Sequence, residues 1–153
     1  MTTTTLQAPQ ALRTARRSPA RADSAWFPVL ALASVVAAVV HAMVIREHFA
    51  ESALYGSFFL GTAVAGLGYA VVVLLRVTTP VLLVGLVANA SIVALWLFTR
   101  LVEVPVGPGM GKTEAFGRLD VIASGAEVLC VVAAISLLRA TSSRQVPAQP
   151  PQC

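Results

Sequence analysis

Four long apolar runs constrain this chain more than any other feature. They cover residues 25–45, 53–75, 80–98 and 119–138. Each is close to the roughly 20 residues that a helix needs to cross about 30 Å of hydrocarbon. The alternation of apolar and polar residues that marks a membrane β-barrel strand is absent, so helices remain as the spanning structure. The sequence therefore predicts an all-α fold, a four-helix transmembrane bundle.

The composition agrees with a membrane protein. Of the 153 residues, 57% are hydrophobic and 12% are charged, whereas soluble domains are about 25% charged. We predict one transmembrane domain over residues 25–139, with a basic tail at 1–24 and a second tail at 140–153. Both tails have little to bury, so we expect them to be disordered. The first tail, rich in Arg and hydroxyl residues, also resembles a transit peptide.

The basic residues predict the orientation. One side of the predicted bundle carries seven of them: Arg13, Arg16, Arg17, Arg21, Arg76, Arg139 and Arg144. The other side carries four: Arg46, Arg100, Lys112 and Arg118. Because positively charged segments stay in the cytoplasm, we expect both termini inside and a multi-pass protein of the inner (plasma) membrane.

The segment GPGMGKT, residues 107–113, looks like a phosphate-binding loop. The full motif needs a glycine five positions before Gly111. It must also follow a strand and open a helix. That position holds Val106, and a predicted membrane helix flanks the segment on each side. The glycines and prolines instead predict a tight external loop. We therefore expect no nucleotide ligand. Among other partners, we expect the lipid bilayer and no nucleic acid.

Polar residues inside the predicted helices need a reason, because a central charged residue costs about 2.5–3.5 kcal/mol on insertion scales. Asp120, Ser124 and Glu127 share one face of the fourth helix. Asn89 and Arg100 share a face of the third. With a histidine of the first helix, these polar faces predict a ligand- or ion-binding site in the outer half of the bundle: His41, Asn89, Arg100, Asp120 and Glu127.

Several of these residues have simpler explanations. Arg100 lies at a helix end, where an arginine can extend to water. Asn89 can hydrogen-bond a neighbouring helix, and Cys130 can be a small apolar filler. On the second helix, small residues share one face and predict a close-packed seam with another helix: Ser57, Gly61, Ala65 and Gly68.

Histidines and carboxylates also suggest a weaker metal hypothesis. Four residues supply ligands suited to a divalent metal: His41, Glu47, His48 and Glu51. Their spacing matches no metal-site motif. Both histidines fall on one predicted helix if it continues past Ile45, which argues against a bis-histidine haem. No cofactor is identified, although a divalent metal is compatible with these residues.

The polar pattern resembles a family of small four-span prokaryotic membrane proteins. From Arg100 the chain reads R-x4-P-x-G-P, and from Glu114 it reads E-x2-G-x2-D, followed by Glu127. His41 and the segment G-x-F-F beginning at Gly56 complete the resemblance, which covers roughly residues 41–138. That family is functionally uncharacterised. The resemblance implies that these positions matter together and implies no activity.

Two functions remain open. In the first, the polar residues bind a proton, a metal ion or a small polar molecule. In the second, the chain is a structural or accessory subunit, and the same residues form an internal salt-bridge network. Four spans make a thin bundle, so either version is compatible with a homo-oligomer or with a partner in a membrane complex. An enzyme is a distant third, since no catalytic set is recognisable.

Overall fold

Four helices make up nearly all of the described structure. The computed structural model describes residues 25–104 and 110–143. Its helices are α1 (Trp26–Glu51), α2 (Ala53–Leu75), α3 (Thr79–Leu101) and α4 (Arg118–Ser143). Each is long and apolar enough to cross a membrane, and no strand occurs within the described residues beyond one isolated bridge. The predicted all-α, four-helix fold is confirmed, while the tails 1–24 and 144–153 lie outside the described residues.

Three helices extend past the apolar runs that predict them, whereas α2 has the predicted bounds. α1 continues to Glu51, so His48 lies on the same helix as His41. A single residue, Ser52, separates α1 from α2, and its Oγ accepts a hydrogen bond from the Tyr55 N–H at 3.1 Å. This is the cap that a serine ordinarily supplies at a helix start. The connection is tight because the Phe49 ring packs where a side chain on residue 56 would be, so only glycine fits there.

The bundle is closed on three sides and open on the fourth. α1 packs against α2 and α4, and α4 packs against α3. The backbones of α2 and α3 come close at few points, and those of the diagonal pairs do not approach each other closely. Where α2 and α3 do meet, the ring of Tyr69 lies directly on Gly85. The gap between α2 and α3 therefore leads into the interior.

The two ends of the bundle are packed differently. At the terminal end, where α1 begins and α4 finishes, all four helices share a close-packed core built around Leu30, Val73, Leu82, Cys130 and Leu137. At the loop end, where the α1–α2 connection and the α3–α4 loop lie, the buried residues include His41 and Glu127. The loop end is thus the polar half of the molecule.

The small-residue seam exists, but not on the face that the sequence predicts. Gly66 faces α1: a Cβ built on it would lie 3.0 Å from Ala38 Cβ. The Ser34 hydroxyl donates to the Gly66 carbonyl oxygen at 2.8 Å. Ala63 and Ala70, one turn to either side, are buried with it.

The predicted seam of Ser57, Gly61, Ala65 and Gly68 is wrong, since all four are exposed. A Cβ added at Gly61 or Gly68 meets nothing within 4 Å. The physical reason is that α2 is apolar all round, so hydropathy does not mark its inner face. Small residues occur on more than one face of such a helix, and only tertiary contacts distinguish them.

Two glycine substitutions distinguish the observed seam from the predicted one. Gly66→Leu should lower the free energy of unfolding by about 1–3 kcal/mol, because the larger side chain must push α1 away. Gly61→Leu, on the exposed face, should leave it nearly unchanged. Thermal unfolding in detergent, followed by circular dichroism, measures both. Equal destabilisation by the two variants would contradict the α1–α2 packing.

Candidate functional site

A cavity of about 690 Å³ occupies the loop end of the bundle. It lies between α2 and α3, with α1 and α4 behind it. This volume falls within the roughly 300–1,000 Å³ usual for small-molecule sites. Much of its wall is apolar, contributed by Val40, Val44, Phe58, Phe59, Ile92 and Leu95. The polar residues on the same wall give the cavity its chemistry.

His41 and Glu127 meet across α1 and α4 at the cavity wall. The buried stripe of α1 contains Leu30, Ser34, Ala37, His41 and Val44, and that of α4 contains Ala123, Glu127, Cys130, Ala134 and Leu137. Both stripes follow helical spacing, and the two helices pack together. His41 Nε2 consequently lies 2.8 Å from Glu127 Oε1.

The His41–Glu127 contact is almost fully removed from solvent. His41 is 7% exposed and Glu127 is 1% exposed. A hydrogen bond between these two atoms contains one proton, which can reside on the imidazole or on the carboxyl group. In either form the bond offsets part of the cost of burying the two groups. The sequence prediction that Glu127 points into the bundle and has a polar partner fits this geometry.

A second ion pair joins α3 to α4 nearer the loop. Arg100 Nη2 donates to Asp120 Oδ2 at 2.7 Å. Asp120 Oδ2 also accepts from the Gly117 N–H at 3.2 Å, which caps the start of α4. The Arg100 guanidinium lies 5.5 Å from the centre of the Trp96 ring, within cation–π range. Arg100 is therefore held by the protein rather than extended into water.

Three cavity residues carry buried polar atoms with no hydrogen-bond partner among the described residues. The atoms are Glu127 Oε2, Trp96 Nε1 and Arg100 Nε. A buried unpaired polar atom costs about 1–3 kcal/mol, and such atoms are uncommon enough to need an explanation. A fourth, Tyr69 Oη, lies outside the cavity lining, on the residue that covers Gly85. Three of these four atoms thus belong to residues that line one cavity.

Asn89 does not join the other predicted site residues. Its Nδ2 donates to the Gly85 carbonyl oxygen at 2.7 Å, one turn earlier in the same helix. It is not part of the cavity lining, which begins on α3 at Ile92. The other four predicted residues, His41, Arg100, Asp120 and Glu127, all line the cavity. Asn89 shares their face by spacing, but it lies too near the middle of α3.

The predicted metal ligands are dispersed. His48 Nδ1 donates to the Val44 carbonyl oxygen at 2.9 Å, and its ring packs on Phe59 with the ring centres 3.7 Å apart. Glu47 and Glu51 are exposed at the cavity rim. Within residues 25–104 and 110–143, no three His, Cys, Asp or Glu side chains come together as a metal site.

The backbone conformation of the α3–α4 loop explains the glycine at position 111. Gly111 has φ of +76°, a value that favours glycine. Its N–H donates to the Val104 carbonyl oxygen at 3.0 Å, and the Val104 N–H donates to the Lys112 carbonyl oxygen at 3.0 Å. Residues 105–109, which contain most of the GPGMGKT glycines and prolines, lie outside the described residues. The described part is a short turn with an exposed Lys112.

Trp96 and Phe59 line the cavity but are not among the predicted site residues. The Trp96 indole packs beside the Arg100 guanidinium, and its ring centre lies 5.7 Å from that of Phe116. The available signal was its position four residues before Arg100, on the same face of α3. Phe59 belongs to the G-x-F-F segment of the resemblance, but hydropathy gives no sign that it faces the interior, because α2 is apolar all round.

Comparisons with protein-family models, with curated proteins and with solved structures found no match for this chain. The resemblance to small four-span prokaryotic membrane proteins therefore stays a prediction. The assignment of function depends on the geometry of the site.

Variants at Glu127 test the buried pair. Glu127→Leu should lower the free energy of unfolding by roughly 1–3 kcal/mol, because it leaves His41 buried without a partner. Glu127→Gln should cost less, since an amide can still hydrogen-bond to Nε2. The double variant His41→Leu/Glu127→Leu should recover part of the loss, because no polar group is then left unpaired.

Thermal or denaturant unfolding in detergent gives these free energies. Glu103→Leu is the matched control, since Glu103 is exposed and outside the cavity. If Glu127→Leu were as stable as the natural protein, the carboxylate would not be buried against His41.

Proposed function

We propose that this chain is a multi-pass integral membrane protein that binds a small molecule or ion in the cavity at the loop end of its bundle. The observation that carries the proposal is Glu127, a cavity-lining residue whose Oε2 is buried and has no hydrogen-bond partner among the described residues. His41 holds the other oxygen at 2.8 Å. The carboxylate is therefore fixed in orientation, and its second oxygen is the polar group that a ligand would satisfy.

The outward faces of the helices support membrane insertion. Large apolar residues are exposed on every helix, among them Leu32, Val64, Val84 and Val121. So extensive an apolar surface is unfavourable in water, whereas lipid solvates it. The distribution of Arg and Lys favours cytoplasmic termini. In that orientation the cavity lies in the outer half of an inner (plasma) membrane protein.

The second candidate is a structural or accessory subunit. The two pairs, His41–Glu127 and Arg100–Asp120, favour it because they join α1 to α4 and α3 to α4. A network that only stabilised the bundle would be expected to satisfy its own polar atoms. Three unpaired atoms beside a large cavity are explained better by a ligand.

Cysteine labelling tests the topology. In a Cys130→Ala/Cys153→Ser background, Lys112→Cys should react with a membrane-impermeant maleimide in intact cells, because the α3–α4 loop is external in the proposed orientation. Thr5→Cys should react only after the membrane is permeabilised. If only Thr5→Cys were labelled in intact cells, the termini would be external and the proposed orientation would be wrong.

A cavity-filling variant separates the two functions. Ala123 is 4% exposed and lines the cavity, so Ala123→Leu should occupy part of the empty volume without lowering thermal stability. Native mass spectrometry of protein purified in mild detergent should show a bound small molecule on the natural chain and not on this variant. Val121→Leu, at an exposed position, is the control that should keep the ligand.

The same spectra report the oligomeric state. Identical ligand-free spectra for the natural chain and Ala123→Leu, together with unchanged assembly, would favour the accessory-subunit alternative. A ligand retained by Ala123→Leu would mean that it binds elsewhere.

A further inference from the structure

We infer that the ligand of this cavity is a lipophilic organic cation, such as a protonated amine attached to an apolar body. This inference deepens the proposed function and rests on it. Charge, aromatic lining and the open side of the bundle support it independently.

The cavity wall has an excess of negative charge. Five carboxylates line it: Glu47, Glu51, Glu114, Asp120 and Glu127. Only two guanidinium groups, Arg100 and Arg118, oppose them, and Arg100 is already paired with Asp120 at 2.7 Å. A cavity lined by charge of one sign concentrates ligands of the opposite sign. The lining therefore favours a cation over an anion.

The deepest acidic group is placed to receive a hydrogen-bond donor. Glu127 Oε1 is held by His41, and Oε2 is unpaired and buried. An ammonium N–H directed at Oε2 would make a charge-assisted hydrogen bond, which is roughly twice as strong as a neutral one. Trp96 Nε1 and Arg100 Nε are donors without acceptors, so a hydroxyl or ether oxygen near the amine would complete the match.

Aromatic side chains surround the remaining volume. The lining includes Tyr55, Phe58, Phe59, Trp96 and Phe98. Ring faces attract organic cations as well as apolar groups, and the attraction is strongest where water is excluded. The combination of one buried carboxylate with several rings is suited to a cation whose body is apolar.

The open side of the bundle gives such a molecule a route. The backbones of α2 and α3 come close at few points, and exposed apolar lining residues border the gap: Leu54 and Phe58 on α2, and Leu95 and Phe98 on α3. In the proposed orientation this gap faces lipid. A lipophilic cation that partitions into the membrane can enter between these residues without crossing a polar surface.

Three probes of similar size test the charge preference. They are 4-phenylbutylamine, 4-phenylbutanol and 4-phenylbutanoate, which present a cation, a neutral hydroxyl and an anion on a phenylalkyl chain. Isothermal titration of the full chain in a neutral detergent should give the tightest binding for the amine. We expect the neutral and anionic probes to bind roughly tenfold more weakly or worse, as for loss of one charge-assisted hydrogen bond.

Variants assign the binding to this site. Glu127→Gln should lose the preference for the amine, whereas Glu103→Gln, outside the cavity, should keep it. Glu47→Gln/Glu51→Gln changes two exposed rim residues and should fold normally, yet weaken amine binding severalfold at low salt.

The outcomes separate the cation inference from the proposed function. If the alcohol or the acid binds as tightly as the amine, and Ala123→Leu abolishes that binding, the cavity is a ligand site and the cation inference is wrong. The remaining outcome is equal binding of the amine to the natural chain, Ala123→Leu, Glu127→Gln and Glu47→Gln/Glu51→Gln. In that case it is only partitioning into the micelle, and both the inference and the assigned site fail.

Discussion

The hydrogen bond between His41 and Glu127 is the interaction on which the arrangement of this bundle depends. It joins α1 to α4 across 86 residues of chain, at 2.8 Å and nearly out of reach of solvent. Among apolar helices in lipid, hydrophobicity does not favour one helix partner over another. A buried polar pair does, because any other rotation of α1 or α4 would leave two ionisable groups in an apolar surrounding. The pair therefore specifies which faces meet and at what depth.

That constraint accounts for the contrast between the two ends of the molecule. Toward the terminal end, Ala31, Ala33 and Ala133 let the helices approach closely around Leu30 and Leu82. Toward the loop end, aromatic rings of α2 and α3 line the cavity. The backbones of these two helices come close at few points along their whole length. Tyr69 on Gly85 lies at the transition. The cavity is thus the space left where bulky residues line helices that α1 and α4 hold apart.

The sequence predicts much of this fold and less of its site. Apolar runs predict four helices because a helix of that length needs no partner to satisfy its backbone. The polar spacing on α4 predicts that Asp120 and Glu127 share a face, since helical geometry alone decides it. The sequence does not predict that Gly66 rather than Gly61 faces α1, because an apolar helix has no polar side to orient it. It also does not distinguish Asn89 from Arg100. These two residues differ in their depth along α3, and that depth matters only relative to helices distant in sequence.

The two functions considered for the polar residues are less opposed than they first look. His41 engages one oxygen of Glu127, and that engagement is structural, because it satisfies a buried group and ties α1 to α4. The same contact fixes the carboxylate, whose other oxygen has no hydrogen-bond partner among the described residues. A carboxylate free to rotate would lose orientational entropy on binding, whereas a held one does not. In the function we propose, the contact that stabilises the bundle thus also orients the carboxylate for its ligand.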